Sequence, residues 1–156
     1  MKFFTKYTAL LSVAFLLFAI PALAQNASNG VKFEAPFAFQ VRDVTMPAGS
    51  YRVTQPDINV AALLVQDADA SHSALVSYTP VDDLTPQPDT LIGFKKYGDV
   101  EFMNRIKIAD ENIEIQLSQS KAEEKAAENA VAVEHSLPAT SVGTLAVATQ
   151  PTNGSN

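Results

Sequence analysis

Residues 100–108 read Val-Glu-Phe-Met-Asn-Arg-Ile-Lys-Ile, the most regular alternation of apolar and polar side chains in this 156-residue chain. Successive side chains of a β-strand point to opposite faces, so this spacing predicts a strand with one buried and one wet face. The apolar set is Val100, Phe102, Ile106 and Ile108, and the polar set is Glu101, Arg105 and Lys107. Asn104 is the one polar residue on the apolar face. We expect its amide to satisfy a backbone group at a strand end, with the lining of a pocket as the alternative.

Period-two patterns of the same kind recur on both sides of this stretch. With this stretch included, seven segments have strand character, at residues 33–41, 51–54, 58–65, 73–78, 91–94, 100–108 and 113–117; of these, 58–65 is a continuous apolar run, as expected for a central strand covered on both faces. Pro36 interrupts the first segment, and because proline cannot donate to a ladder, this strand is expected at an edge or bulged there. No helical pattern separates the strands, which excludes a doubly wound α/β fold. The sequence therefore predicts an all-β domain over residues 30–118, a single antiparallel sandwich or partly closed barrel of about seven strands.

One short helix and a weakly apolar tail are expected after the strands. Ser120 is a favourable N-cap with Glu123 three residues later, which predicts a C-terminal helix within residues 119–130. Residues 131–156 contain no Phe, Tyr, Trp, Lys or Arg. Such a segment buries too little surface to offset a backbone ordering cost of about 1–2 kcal/mol per residue. We therefore predict a disordered tail over residues 131–156.

The N-terminus has the three parts of an export signal. Lys2 and Lys6 precede an apolar run at residues 9–20, and Ala22-Leu23-Ala24 places small residues where a signal peptidase cuts. The run is shorter than the roughly 20 apolar residues that span a bilayer. We predict a signal peptide over residues 1–24, export to the periplasm or the cell exterior, and no transmembrane span in the mature chain.

Charge and cysteine content exclude several classes of function. The chain has 17 acidic and 11 basic side chains, and two of the basic ones lie in the predicted signal, so the mature charge is 9 − 17 = −8. Nucleic acid is therefore not an expected partner. The absence of cysteine excludes disulfides, thiolate metal sites and cysteine nucleophiles. No Gly-rich phosphate loop, nucleophile elbow or metalloprotease helix is present, and no cofactor is predicted.

Aromatic and acidic residues supply the candidate binding positions. Tyr51, Tyr78 and Tyr97 would form a stacking platform for a sugar or a peptide, although tyrosines of this kind are more often core-rim residues. Asn104 is a fourth candidate if it lines a pocket.

Metal binding is a weaker expectation. Asp67 and Asp69 begin like a calcium loop, but His72 stands at the position for glycine and Tyr78 at the position for glutamate, so the calcium-hand motif fails. A looser cation site would need Asp82 and Asp83 to approach the first two aspartates, and no metal site is predicted otherwise. His72 and His135 are both expected to be exposed to solvent.

A series of short motifs adds a resemblance to this account. Ala35-Pro36-Phe37-Ala38-Phe39 is followed by Met46-Pro47-Ala48-Gly49-Ser50-Tyr51-Arg52-Val53, then by residues 97–102 (Tyr-Gly-Asp-Val-Glu-Phe) and 117–123 (Leu-Ser-Gln-Ser-Lys-Ala-Glu). Their order and spacing resemble a group of small exported β-rich proteins that are common in acidobacterial genomes. The resemblance covers residues 31–126 and implies export and a β body. It implies no particular chemistry.

Three functions are compatible with these patterns. The leading hypothesis is an exported non-enzymatic β module that acts by binding or as an envelope component, because no acid, base and nucleophile converge. The second is a small-ligand carrier with an apolar barrel cavity near Tyr51, Phe94, Phe102 and Asn104. The third is a hydrolase built on carboxylates from Asp82, Asp83 or Asp99, which would have to meet on one rim.

Overall fold

The computed structural model describes residues 29–143 apart from 84 and 86, together with residue 145. The predicted signal peptide lies outside these residues, as do residue 144 and residues 146–156 of the predicted tail. The described residues form ten strands and one helix. In chain order these are β1 (Gly30–Ala35), β2 (Phe39–Val41), β3 (Val44–Met46), β4 (Gly49–Thr54), β5 (Ala62–Asp67), β6 (Ser73–Asp82), β7 (Thr90–Tyr97), β8 (Val100–Lys107), β9 (Ile113–Leu117), α1 (Lys121–Asn129) and β10 (Val133–Val142).

Eight of the strands close into an antiparallel barrel in the order β8-β7-β10-β1-β4-β5-β6-β9, with β9 pairing back onto β8. The hairpin of β2 and β3 is not one of the eight strands of this ring. It is joined to β8 through one parallel bridge between Gln40 and Phe102. The all-β prediction is confirmed, and the architecture is the barrel rather than the sandwich. The strand count exceeds seven because the first predicted strand divides at Pro36 and because β3 and β10 were not expected.

Strand β10 corrects the prediction of a disordered tail. Residues 133–142 lie between β7 and β1, with Val133 opposite Lys96 and Ala139 opposite both Thr90 and Phe33. Leu137 and Ala139 are the apolar side chains of this strand that pack against the core, and both are half-buried. Composition failed here because the strand supplies backbone hydrogen bonds to both neighbours, while β1 and β7 supply the apolar surface. The ring would not close without it.

A β-bulge in β8 corrects the predicted sidedness of that strand. Gly93 pairs with Arg105 and Phe94 pairs with Met103, so Asn104 is the extra residue. An extra residue reverses the alternation on one side of it. Met103 and Ile106 both belong to the core cluster, although an unbroken strand would place them on opposite faces.

The residues before the bulge therefore face the other way from the prediction. Phe102 is buried but lies outside the main core, with its ring 5.9 Å from that of Tyr97. Glu101, which was expected in water, is only 6% exposed. Ile106 is fully buried and Ile108 packs partly against the core, as predicted.

Side chains fill the interior of the ring over the described residues. At one end, the rings of Phe33, Phe39, Tyr51 and Phe94 have centroids 5.0–6.2 Å apart. The hairpin of β2 and β3 contributes Phe39, Val41 and Met46 to this core, each at most 1% exposed. The remainder of the fully buried set is aliphatic: Val31, Val53, Leu63, Val65, Val76, Ile92, Ile106 and Ile115.

Helix α1 confirms the predicted C-terminal helix. The Ser120 hydroxyl accepts a hydrogen bond of 3.1 Å from the backbone N–H of Glu123, which is the expected N-cap. The helix contacts β7, and Glu123 is its buried residue. Burial raises the pKa of the Glu123 carboxyl, with the nearby charge of Lys95 acting against that shift. No helix among the described residues is long and apolar enough to cross a membrane.

Candidate functional site

A groove of about 790 Å³ lies across the outer surface of four neighbouring strands, β10, β1, β4 and β5. Its outward side chains are Lys32, Glu34, Ser50, Arg52, Gln66, Ala68, Pro138 and Thr140. Four of these are small or compact, and β10 contributes only proline and threonine to the outer face here. The concavity therefore follows from short side chains on a twisted sheet. Most of these side chains carry hydrogen-bonding groups or charge, so the groove offers polar groups beside apolar surface.

Strand register places the polar side chains of this groove in two rows. Lys32 lies opposite Thr140 on one side and Arg52 on the other, and Arg52 lies opposite Gln66. These four form the first row, which crosses four strands at a spacing of about 4.8 Å per strand. In the second row, Glu34 lies opposite Ser50 of β4. A basic row and an acidic position thus lie side by side on one surface.

Two charges in the groove are not matched within the described part of the protein. The side chains of Lys32 and Glu34 are exposed and form no ion pair with a described residue. Lys32 and Arg52 are like charges directly across an antiparallel pair, an arrangement that disfavours the folded sheet. The groove therefore presents charge that the fold itself does not use to stabilise these strands.

The carboxylate of Asp67 lies at one end of the groove and is fully engaged. It accepts hydrogen bonds from the Ser71 hydroxyl at 2.7 Å and from the His72 backbone N–H at 3.0 Å. Burial would raise the pKa of Asp67, but these hydrogen bonds and the His72 ring outweigh it and lower the pKa to about 2. The loop between β5 and β6 is ordered by this cluster.

The same loop brings together an aspartate, a serine and a histidine without forming a catalytic triad. In a triad, the carboxylate and the hydroxyl contact opposite ring nitrogens. Here the Nδ1 atom of His72 meets both, with Asp67 Oδ2 at 2.8 Å and Ser71 Oγ at 2.9 Å. The hydroxyl therefore has no separate base to activate it. As predicted, His72 is exposed.

The looser cation site is not formed. Asp67 precedes the start of β6 and Asp83 follows its end, so a ten-residue strand of about 30 Å separates the two loops. Asp83 instead accepts a 3.0 Å hydrogen bond from Lys107, and this contact lowers the pKa of Asp83. Among the described residues, no group of three His, Asp or Glu side chains is placed to hold a metal ion. The Asp69 carboxylate accepts a hydrogen bond of 3.2 Å from the Ser71 hydroxyl.

The carboxylates of the hydrolase hypothesis also lie apart. Asp99 precedes the first residue of β8, whereas Asp83 pairs with Lys107 at its last residue. Eight residues of strand separate these positions by about 23 Å, and Asp82 lies beside Asp83. Paired glycosidase carboxylates require about 5–9.5 Å. Asp99 therefore does not converge with Asp82 or Asp83 on one rim, and the Asp83 carboxylate is already held by Lys107.

The three candidate tyrosines do not form a platform. Tyr51 is inside the barrel, stacked on Phe33 at 5.5 Å, and its hydroxyl donates to the Pro47 carbonyl oxygen. Burial, followed by the charges of Asp67 and Asp69, raises the pKa of Tyr51. Tyr78 is buried and its hydroxyl accepts a hydrogen bond from Gln55 at 3.2 Å.

Tyr97 is buried beside Phe102 on the outside of the ring. Its pKa is raised by burial and then by the charges of Glu123 and Glu134. The three rings therefore lie in separate places, and none is available to stack on a ligand.

Asn104 occupies the bulge of β8 and does not line the groove on β10, β1, β4 and β5. Its Oδ1 atom is buried without a hydrogen-bond partner among the described residues. Tyr51 and Phe94 lie inside the ring, while Phe102 lies outside it. The four residues proposed for a carrier cavity are thus divided between two sides of the sheet.

A polar cluster at one end of the barrel was missed by sequence reasoning. Glu101 Oε2 lies 2.7 Å from His135 Nε2, and Glu101 Oε1 lies 3.5 Å from Lys96 Nζ. The His135 ring stacks on Phe94 at 5.6 Å and meets the edge of Phe37 at 5.3 Å. The prediction that His135 is exposed was wrong. No local signal reveals this cluster, because it depends on the insertion of β10 and on the bulge in β8.

Comparison of the chain with protein-family models, with curated proteins and with solved structures gave no match.

Proposed function

We propose that this chain is an exported, non-enzymatic binding module whose ligand surface is the groove on β10, β1, β4 and β5. The observation that carries the proposal is the unmatched charge of Lys32 and Glu34 on a concave surface. By contrast, the charged side chains of β7, β8, β9 and β10 all form ion pairs with described residues, so we take the groove as the best candidate for contact with another molecule. The partner would be an envelope protein or a small soluble molecule.

The interior of the barrel argues against the carrier alternative. Small-ligand barrels keep a cavity within the ring, whereas this ring is occupied by buried aromatic and aliphatic side chains. A ligand would have to displace groups such as Phe39 and Met46, which are at most 1% exposed. The separation of Asp83 from Asp99 argues in the same way against the hydrolase alternative.

A matched pair of tryptophan variants tests the binding surface. Ser50→Trp places a large ring in the groove, and Ser77→Trp places the same ring on an exposed position of β6 outside it. Amide resonances would be followed during titration with octapeptide pools, soluble polysaccharides and phospholipid vesicles. We expect at least one class to shift amides near residues 32–34, 50–52 and 138–140. Ser50→Trp should abolish those shifts and Ser77→Trp should preserve them. A titration series in which no class moves the groove amides would contradict the proposal.

Two further measurements address the other parts of the proposal. Purified protein offered esters, glycosides and peptides is expected to turn over none of them, and efficient turnover of any substrate would end the non-enzymatic assignment. Export predicts that the mature protein begins at Gln25, which N-terminal sequencing of protein from a bacterial host would reveal. Retention of an uncleaved chain inside the cell would contradict export.

A further inference from the structure

We infer that the groove takes an extended polypeptide segment of a protein partner, carrying an acidic and a basic side chain two residues apart. This inference rests on the proposed function, because it specifies the ligand of the same groove. Lys32 and Glu34 are the two positions that would meet those charges. Both lie on the outer face of β1, and both side chains are exposed.

The spacing of the two charges matches that of an extended chain. Lys32 and Glu34 are two residues apart on one strand, so their Cα atoms are separated by about 7 Å along it. Any extended polypeptide repeats its same-face side chains at this interval. A segment lying along β1 can therefore place an acidic side chain on Lys32 and a basic one on Glu34 at the same time. Arg52, directly across from Lys32, adds a second cation beside the acidic position.

The uncharged groups of the groove also suit a polypeptide. Ser50, Gln66 and Thr140 carry both donors and acceptors, which peptide N–H and C=O groups require. Phe33 and Tyr51 border the groove, but their rings point into the barrel and are at most 5% exposed. A sugar ring would thus find no aromatic face on which to stack.

The charge of the whole domain favours a mixed sequence over a purely acidic one. All 17 acidic residues and nine basic residues lie in the part of the chain after the predicted signal. A polyanion would be repelled by this net charge, although screening limits the effect to about 8 Å at physiological salt. A polycation would meet Lys32 and Arg52 on arrival. A segment that carries both acidic and basic side chains avoids both of these repulsions.

Three peptides and two variants test the inference. In each octapeptide, every second residue is threonine and the residues between are charged. The charged residues of the mixed peptide are glutamate and lysine in turn, so that unlike charges stand two residues apart. The charged residues of the other two peptides are all glutamate or all lysine. Lys32→Glu makes the groove acidic at both positions. Lys125→Glu changes the net charge equally at an exposed position of α1 and serves as the control. Affinities would be measured from the amide shifts of the groove.

The mixed peptide is expected to bind most tightly to the unaltered protein. Exposed ion pairs contribute little individually, so Lys32→Glu should weaken the mixed peptide by about threefold and strengthen the lysine peptide by a similar factor. Lys125→Glu should leave the ranking of the three peptides unchanged.

The possible outcomes separate this inference from the proposed function. If a polysaccharide or another ligand moves the groove amides and no peptide does, the polypeptide assignment is wrong and the binding surface stands. The inference is also overturned if the glutamate peptide equals the mixed peptide, or if Lys125→Glu shifts preference as much as Lys32→Glu. If neither the peptides nor the other ligand classes reach the groove, both proposals fail together.

Discussion

Two outer faces of the same barrel differ in whether their charged side chains form ion pairs with described residues. On the surface of β7, β8 and the start of β10, Arg105 lies 3.1 Å from Glu134, and Lys107 lies 3.0 Å from Asp83. We call this surface the paired face. On the groove, Lys32 and Glu34 have no ionic partner among the described residues. The two faces share one core, so the difference lies in the outward side chains alone.

The paired face is arranged to hold its charges in place. A Cβ atom on Gly93 would come within 2.3 Å of the Arg105 Cγ atom, so only glycine lets this side chain lie flat across β7 towards Glu134. Lys107 bridges Asp83 and Glu114 in a similar way. The groove has no such arrangement for Lys32. Ion pairs on the paired face stabilise the sheet, whereas Lys32 and Glu34 form no ion pair with a described residue.

The largest expected effect comes from removing the strand that joins the two faces. β10 pairs with β7 of the paired face and with β1 of the groove. A chain ending at Ala130 should lose cooperative thermal unfolding, because the ring is left open and two strands lose a neighbour. Circular dichroism melts would show this, with a chain ending at Leu145 as the folded control. An unchanged melting temperature after the longer deletion would contradict the role of β10.

A core substitution should weaken both faces together. Phe94 is fully buried and contacts the rings of Phe33, Phe37 and Phe39. Phe94→Ala should lower the free energy of unfolding by about 3–5 kcal/mol, and Phe94→Leu by less. Hydrogen exchange is expected to speed up equally in β1 and in β8. Loss of protection confined to one face would show that the faces do not share a cooperative core.

Lowering the pH should destabilise the protein at the loop between β5 and β6, because the Asp67 carboxylate becomes protonated. Its pKa is lowered to about 2 in the folded protein, so its contribution to stability is complete above the ordinary value near 3.8. That contribution is lost as the pH falls from about 4 towards 2. Asp67→Asn should lower the melting temperature at pH 7 and flatten the further decline over this range.

The exposed Asp99 offers a matched control for that measurement, and Asp99→Asn should retain the melting profile of the unaltered protein between pH 7 and pH 2. Identical profiles for Asp67→Asn and the unaltered protein would show that the loop cluster adds no stability.

The smallest effect compares two glutamates directly. Glu134→Gln removes contacts to Arg105 and Lys95, and should cost about 0.5 kcal/mol of unfolding free energy. Glu34→Gln on the groove should change stability by less than this, because no ion pair is lost. Chemical denaturation of the two variants would measure the difference. A larger loss for Glu34→Gln would show that the groove charge is structural after all.

Alternation in the sequence predicted most of the barrel because each strand has one face on a shared core. Phe33 and Ala35 are buried and Glu34 between them is exposed, as predicted, and Ala74, Val76 and Tyr78 of β6 alternate in the same way. Alternation did not predict β10. The small and polar residues of this strand are held by backbone pairing with β1 and β7 rather than by burial of their own side chains. Alternation also failed to predict the bulge at Asn104. The bulge depends on how β8 pairs with Gly93 and Phe94 of β7, and no local pattern in β8 contains that information.

The groove was beyond sequence reasoning for a related reason. Its rows exist only when Thr140, Lys32, Arg52 and Gln66 become neighbours across four strands. Lys32 and Glu34 read simply as the wet face of a strand, which they are. Aromatic residues are frequent in binding sites, which favours the tyrosines as candidates, yet Tyr51 and Tyr78 belong to the core and Tyr97 is buried against Phe102.

Paramagnetic broadening by a bound peptide tests the contrast between the faces most directly. The mixed glutamate–lysine peptide would carry a nitroxide at one end and be added to isotopically labelled protein. We predict that amide signals at residues 32–34, 50–52 and 139–140 broaden, while those at 103–107 on the paired face stay sharp. Broadening centred on residues 103–107, or equal broadening over both faces, would contradict the assignment of the groove as the ligand surface.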